Sequence, residues 1–303
     1  MAFNIDQQVR LRAFDLLKGL GRIYGDNIPR TLLEKGFDFE GRKVPLIGPQ
    51  GIFKPAVCPE IPISITTAPI IEGRPRPYDD SSSDGFINYK YRGIDPDHYQ
   101  NIGLQKAMFQ KTPLIYFKGV VVGIYSAVWP VYIVGENPKT LTFTVAVDLA
   151  EKIYVDENEP IAAMESRRRY QTVETQIRLH QSGFRYKVMK AYKESCAICH
   201  LKQPKLLEAA HILPDGHPKG EPVVQNGISL CMIHHGAYDN NIVGITPDYS
   251  VELNRKVLEE KDGPMLLHGL QEFHEKRLIL PSSRRDWPKP EFLEERYQQF
   301  KVG

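Results

Sequence analysis

The most constraining stretch of this chain runs from Cys196 to Asp239, CAICHLKQPKLLEAAHILPDGHPKGEPVVQNGISLCMIHHGAYD. It gathers three of the four cysteines and five of the nine histidines. Cys196-x-x-Cys199 and Cys231-x-x-His234 provide four soft ligands at spacings that suit a tetrahedral structural zinc. His211, Asn226, His235 and Asp239 lie between and beyond them, and a structural zinc needs none of these. The stretch therefore carries two interleaved sets of residues, and each requires its own explanation.

The pattern around the second set predicts a small α/β unit. Leu206 to Leu213 is an apolar run ended by Pro214, which reads as a short strand. Turn chemistry follows at Pro214-Asp215-Gly216, Pro218, Gly220 and Pro222, and Asn226-Gly227 is a hairpin-turn signal. Ile228-Ser229-Leu230 is the expected returning strand, and Met232 to Tyr238 fits a helix. On that helix His235 and Asp239, four apart, share one face and can grip a single divalent metal. Taken alone, the CxxC…CxxH spacing fits equally well a zinc-stapled module that binds a partner without catalysis.

The order AHI…NG…LCxxHHxxYD resembles the HNH, or ββα-metal, nuclease motif. That resemblance implies that His211 is the general base, that Asn226 orients it or helps to bind metal, and that His235 and Asp239 hold a catalytic Mg²⁺ or Mn²⁺. Cys196, Cys199, Cys231 and His234 would carry structural Zn²⁺, as in the zinc-stapled members. A neutral imidazole can take a proton from water near pH 7. Many members place a further metal ligand just before the base, where this chain has Ala210. Asn226, waters or Glu208 would complete the site, Glu208 lying on the strand face of Ala210.

At 303 residues the chain has room for two ordinary domains. No apolar run is long enough to span a membrane, and MAFNIDQQVRLRAFDLL lacks the pattern of a signal peptide. With only Cys58 left outside the zinc set, a disulfide framework is not expected, and a reducing cytoplasm fits best. A net charge of +2 does not by itself point to nucleic acid. Its distribution is more informative: Met164 to Lys205 holds 10 Lys/Arg against 3 Asp/Glu, a run that is most often a solvated helix face. Such a run directly before a nuclease motif is a candidate for phosphate contacts, with Arg185 and Lys187 foremost.

The part preceding that run reads as mostly β. A helix is expected near Asp6 to Gly21 and the start of another at Ile28 to Leu33. Strands are expected at Ile61–Thr66, Phe86–Gly93, Pro113–Val122, Gly123–Val134 and Thr140–Asp148, with a short helix at Asn101–Phe109. Gly73 to Gly85 is a long polar loop. Ala162 to His180 reads as a basic linker helix with a stripe of Tyr170, Val173 and Ile177, and Phe184 to Tyr192 as a helix packed on the zinc module. Val243 to Leu253 suggests β-turn-β, and Pro290 to Phe300 a closing helix.

DGFINYKYRGIDPDHYQN, VVGIYSAVWPVYIV and LTFTVAVD resemble the front part of modification-dependent restriction endonucleases, which join a PUA-like or SRA-like β-barrel reader to an HNH domain. The expected architecture is α+β: a β-rich reader at 1–155, a basic helical linker at 156–183, and an HNH domain with a C-terminal extension at 184–303. The implied partner is double-stranded DNA carrying modified cytosine. An HNH unit cuts one strand, so a double-strand break implies a homodimer. SRA-type readers flip the modified base into an aromatic-lined pocket, for which Tyr78, Asp79, Tyr89, Tyr91, Arg92 and Asp95 are the candidates. Ordinary barrel core is the competing explanation for the aromatic residues. Unmodified or phosphorothioated DNA remains an alternative target, and a non-catalytic DNA-binding protein an alternative function.

Overall fold

The computed structural model describes residues 4–69, 85–148, 161–261 and 263–302. The chain divides into two compact units, Met1–Leu179 and His180–Gly303. The division falls inside a single long helix, within the stretch 156–183.

The first unit is a curled mixed sheet with helical decoration. In chain order it contains α1 (Ile5–Tyr24), β1 (Asn27–Pro29), α2 (Arg30–Lys35), β2 (Phe37–Phe39), β3 (Arg42–Val44), β4 (Ile52–Phe53) and β5 (Ser64–Thr67). Then come β6 (Ile87–Lys90), α3 (Tyr99–Phe109), β7 (Leu114–Val121), β8 (Ile124–Asn137) and β9 (Thr142–Val147). The sheet order is β4-β5-β7-β8-β9-β6, with β1 pairing β8 as well. All pairings are antiparallel except β5 with β7. Register shifts on both edges of the long β8 mark bulges, which bend a strand and raise its twist. They explain how one sheet curls around a core of Ile65, Tyr116, Val131, Phe143 and Val145, all within 1% of full burial.

Asn4 caps α1 in a reciprocal capping box with Gln7. The helix is fixed by a buried arginine. Arg10 pairs with Asp6 at 2.7 Å and donates to the carbonyls of Ile61, Pro62 and Pro113. A buried guanidinium persists only with this degree of pairing.

Helix α4 (Ile161–Ala191) is unbroken, uniting the two helices expected over 162–192. Its predicted apolar stripe faces outward: Tyr170, Val173 and Ile177 are exposed, whereas Thr172, Thr175 and Leu179 are buried. Thr172 Oγ1 accepts from the Val147 N–H at 2.8 Å and donates to the Arg168 carbonyl. A threonine with both hydroxyl functions bonded can be buried at little penalty, so hydrophobic spacing identified the helix but not its packed face.

The second unit comprises β10 (Leu207–His211), β11 (Gly227–Cys231), α5 (Met232–Asp239), β12 (Val243–Ile245), β13 (Val251–Leu253), α6 (Arg255–Glu259), α7 (Pro264–Gly269) and α8 (Pro290–Val302). β10 and β11 form an antiparallel hairpin, His211 opposite Gly227 and Leu207 opposite Cys231. The hairpin is not closed by a tight Asn226-Gly227 turn. Residues 212–226 form a long loop, Val224–Asn226 is a single 3-10 turn, and Gly227 is extended. Gly227 is required by packing: a Cβ there would lie 2.5 Å from Val188 and 2.7 Å from Phe184.

Candidate active site

Cys196 and Cys199 lie on the knuckle before β10, Cys231 ends β11, and His234 sits in the first turn of α5. The Ala197 N–H donates to the Ser229 carbonyl at 2.7 Å, tying that knuckle to β11. The ligating atoms of Cys196, Cys199, Cys231 and His234 all lie within 4.8 Å of one another, and this group can hold a metal ion. Cys199 and Cys231 sulfurs are 3.9 Å apart, and His234 Nδ1 is 3.6 Å from Cys196 Sγ and 3.2 Å from Cys231 Sγ. Bonds of about 2.3 Å to sulfur and about 2.0 Å to nitrogen put tetrahedral donors roughly 3.5–3.8 Å apart, so the set fits zinc. Contacts with the neighbouring sulfurs hold the Cys196 and Cys231 thiols below the ordinary range and push Cys199 above it.

Helix α5 carries the second group and is fixed at both ends. Cys231 precedes its first residue, and Arg296 of α8 donates to the Tyr238 carbonyl and to Asn241 Oδ1, each at 2.6 Å. One turn apart, His235 Nε2 and Asp239 Oδ2 are 3.3 Å apart. Adjacent ligands of an octahedral ion with bonds of about 2.1 Å are separated by about 3 Å, so this pair fits a divalent ion. The other ring nitrogen of His235, Nδ1, meets Glu208 Oε2 at 2.6 Å. Glu208 and Asp239 thus engage opposite edges of the imidazole. Glu208 orients His235 and does not converge with Asp239 as a further ligand. A carboxylate behind a ligating histidine is a recurrent arrangement because it fixes the tautomer.

His211 ends β10. Its ring stacks on Phe184 with centroids 3.9 Å apart and an interplanar angle of 14°. Burial lowers its pKa below the usual histidine range; Asp215 opposes this and His235 reinforces it. Burial thus favours the neutral form of the imidazole. Asn226 is fully buried. Its Oδ1 accepts from the Leu213 N–H at 2.9 Å, and its Nδ2 donates to the carbonyls of Leu213 and Glu221 at 2.9 and 3.1 Å. Its amide is committed to the loop backbone and bonds neither the His211 ring nor His235 or Asp239. Arg185 likewise has a structural partner: Nη2 donates to the carbonyls of Pro204 and Leu207 at the entry to β10. Lys187 is half-buried on the same helix.

Residues 196–246 match a family model described as HNH endonuclease. This segment is an HNH endonuclease domain. It contains every residue of the two groups above except those that α4 and α8 contribute as supports. No curated protein matches the chain. A solved structure titled "Modification dependent TagI restriction endonuclease" is similar at 17% identity, covering 79% of this chain and 82% of that one, with a TM-score of 0.29.

The first unit holds a cavity of about 240 Å³. Tyr89, Tyr91 and Tyr125 line it together with Arg30, Lys90, Arg92 and the 48–52 turn. Tyr89 and Tyr91 are also core residues, 7% and 4% exposed. Tyr91 stacks on Phe143 and donates to Glu136, so little of its ring is left for a ligand. Arg92 is exposed. Asp95 is exposed too but does not line the cavity: its carboxylate accepts from the Asp97 N–H and its carbonyl from Asn101. Tyr78 and Asp79 lie outside the described residues. Arg30, unforeseen from sequence, reaches Glu34, Tyr125 Oη and the Gly48 carbonyl at 2.7, 3.2 and 2.9 Å. No helix among the described residues is long and apolar enough to cross a membrane.

Proposed function

We propose that the chain is a metal-dependent DNA endonuclease of the modification-dependent restriction type, cutting with its second unit and reading with its first. One observation carries the nuclease reading. A neutral, stacked His211 ends the first strand of a hairpin whose following helix presents His235 and Asp239 3.3 Å apart, with Glu208 behind them.

In this reading His211 accepts the proton of the attacking water. His235 and Asp239 would hold a Mg²⁺ or Mn²⁺, which would supply positive charge to the phosphate and its leaving oxygen. Glu208 accepts the Nδ1 proton of His235 and leaves Nε2 free to ligate. Asn226 holds the loop ends that follow and precede the two strands, and Zn²⁺ at the Cys3His group fixes the start of α5. The cavity beside Tyr89 and Tyr125, with its cationic rim, would receive a flipped modified cytosine. The separate work of nicking each strand implies a homodimer, and the composition and cysteine usage imply the cytoplasm.

The test is cleavage of matched plasmids, unmodified or bearing methyl-, hydroxymethyl- or glucosyl-hydroxymethylcytosine, with Mg²⁺ or Mn²⁺ and an EDTA control. Cutting confined to a modified plasmid is expected. Equal cutting of all would discard modification dependence and keep the nuclease. Binding without cutting of any would discard the nuclease.

A further inference from the structure

The loop that joins the two strands carries an acid which no motif assigns. Asp215 Oδ1 lies 3.1 Å from His211 Nε2. That nitrogen is buried, and the ring has no aligned hydrogen bond there, so the carboxylate is within ion-pair distance but short of full alignment. Asp215 is not held against the ring by chance of a loose loop. The segment is pinned by Asn226 at Leu213 and Glu221. At its tip, His217 Nε2 and Lys219 Nζ reach the carboxylate of Glu295 on α8 at 2.8 and 3.3 Å. The titratable groups acting on the His211 ring are Asp215 from the loop and His235 from α5, while Phe184 offers an uncharged face.

Resting on the nuclease reading above, we propose that Asp215 is a positioning residue: its carboxylate takes the Nε2–H of His211 and leaves Nδ1 as the nitrogen that accepts the proton from water. The chemistry follows from the two-sided nature of imidazole, in which the partner of one nitrogen decides the proton-accepting role of the other. A buried Nε2 cannot meet bulk water, and a small rotation of the ring or the carboxylate would bring its N–H into line with Asp215. As water gives up its proton the ring becomes cationic, and Asp215 then stabilises that charge. The carboxylate contributes more to the reacting state than to the resting one, which is the condition for a rate effect.

Asp215→Asn removes the charge and keeps the shape. In the full chain, with the plasmid that is cut best, single-turnover cleavage should fall about tenfold or more while the apparent KM stays within about twofold. Loss of the carboxylate should also move the acid limb of the rate profile to lower pH, since an anion nearby favours the protonated ring. A second reading does not depend on cutting: the ring-proton NMR signal of His211, assigned by its loss in His211→Ala, should titrate at lower pH in Asp215→Asn than in the wild type. Unchanged titration of His211 would overturn the proposal, even if the rate dropped, because a loop defect alone would lower the rate without touching the ring. A wild type that binds DNA but never cuts would instead defeat the nuclease reading, and the NMR comparison would still decide the His211–Asp215 pairing.

Discussion

The two candidate sites of this molecule are built in opposite ways. The nuclease group comes from one short run: Glu208 and His211 on β10, His235 and Asp239 on α5, with Cys231 and His234 at the junction of β11 and α5. The cavity of the first unit is assembled from Arg30, the 48–52 turn, Thr66, Tyr89 to Arg92 and Tyr125, close to a hundred positions of chain. Strand alternation and helical periodicity place side chains over short distances with little freedom. They say nothing about which distant strands will meet. A local site can therefore be read from order and spacing, and a dispersed one cannot.

The largest effect that would test this contrast concerns the zinc group. Cys196→Ser, or chelation, should unfold the second unit, since structural zinc in small domains contributes on the order of 10 kcal/mol of folding free energy. Differential scanning calorimetry of the two-unit chain should show one transition lost or strongly lowered and the other kept; an unaltered trace would break the structural assignment. Next comes His211→Ala, with a loss of about 10²–10⁴-fold in single-turnover cleavage and no change in melting temperature beyond about 2 °C. Near-normal cutting would remove His211 from the chemistry. Glu208→Gln should then weaken the catalytic metal by about 10–100-fold, read as a higher Mg²⁺ requirement with recovery at saturating metal.

A pH profile sharpens the same site. As the proposed base, His211 would act only when unprotonated, and burial holds its pKa below the usual histidine value of about 6.5. The acid limb of the rate profile should be centred below the usual histidine value; a decline centred above that value would contradict the buried, neutral base. The smallest effect is expected at the dispersed cavity. Arg92→Ala, on its exposed rim, should weaken binding of modified DNA by about three- to tenfold and lessen the salt dependence, leaving the rate of bound substrate alone.

How much of this was legible follows from particular residues. The strand to His211, the return through Ile228 and the helix bearing His235 and Asp239 all stand where spacing put them. The strands over 114–147 agree with their alternation to within a few residues. Asn226-Gly227 was misread because the dipeptide is a turn signal only when nothing else demands it; here the asparagine staples a long loop and the glycine makes room for Phe184 and Val188. Asp215 carried no signal beyond turn chemistry, since its partner is found only once the loop is folded. Glu208 was readable as a residue of the correct strand face but not as the orienter of His235. Arg30 was invisible, because the cavity that it lines exists only after β1, β8 and the 48–52 turn come together.

His234 and His235 are adjacent, yet the first belongs to the Cys3His group and the second pairs with Asp239. If both groups hold ions as proposed, inactivation by a chelator would have two distinct meanings in this molecule. Loss of the weakly held ion should be reversed at once by adding Mg²⁺. Loss of the tightly held one should displace the first turn of α5 and His235 with it, so recovery would need Zn²⁺ and time to refold. The order in which the two ions are returned thus becomes an assay of which half of a two-residue step has been disturbed.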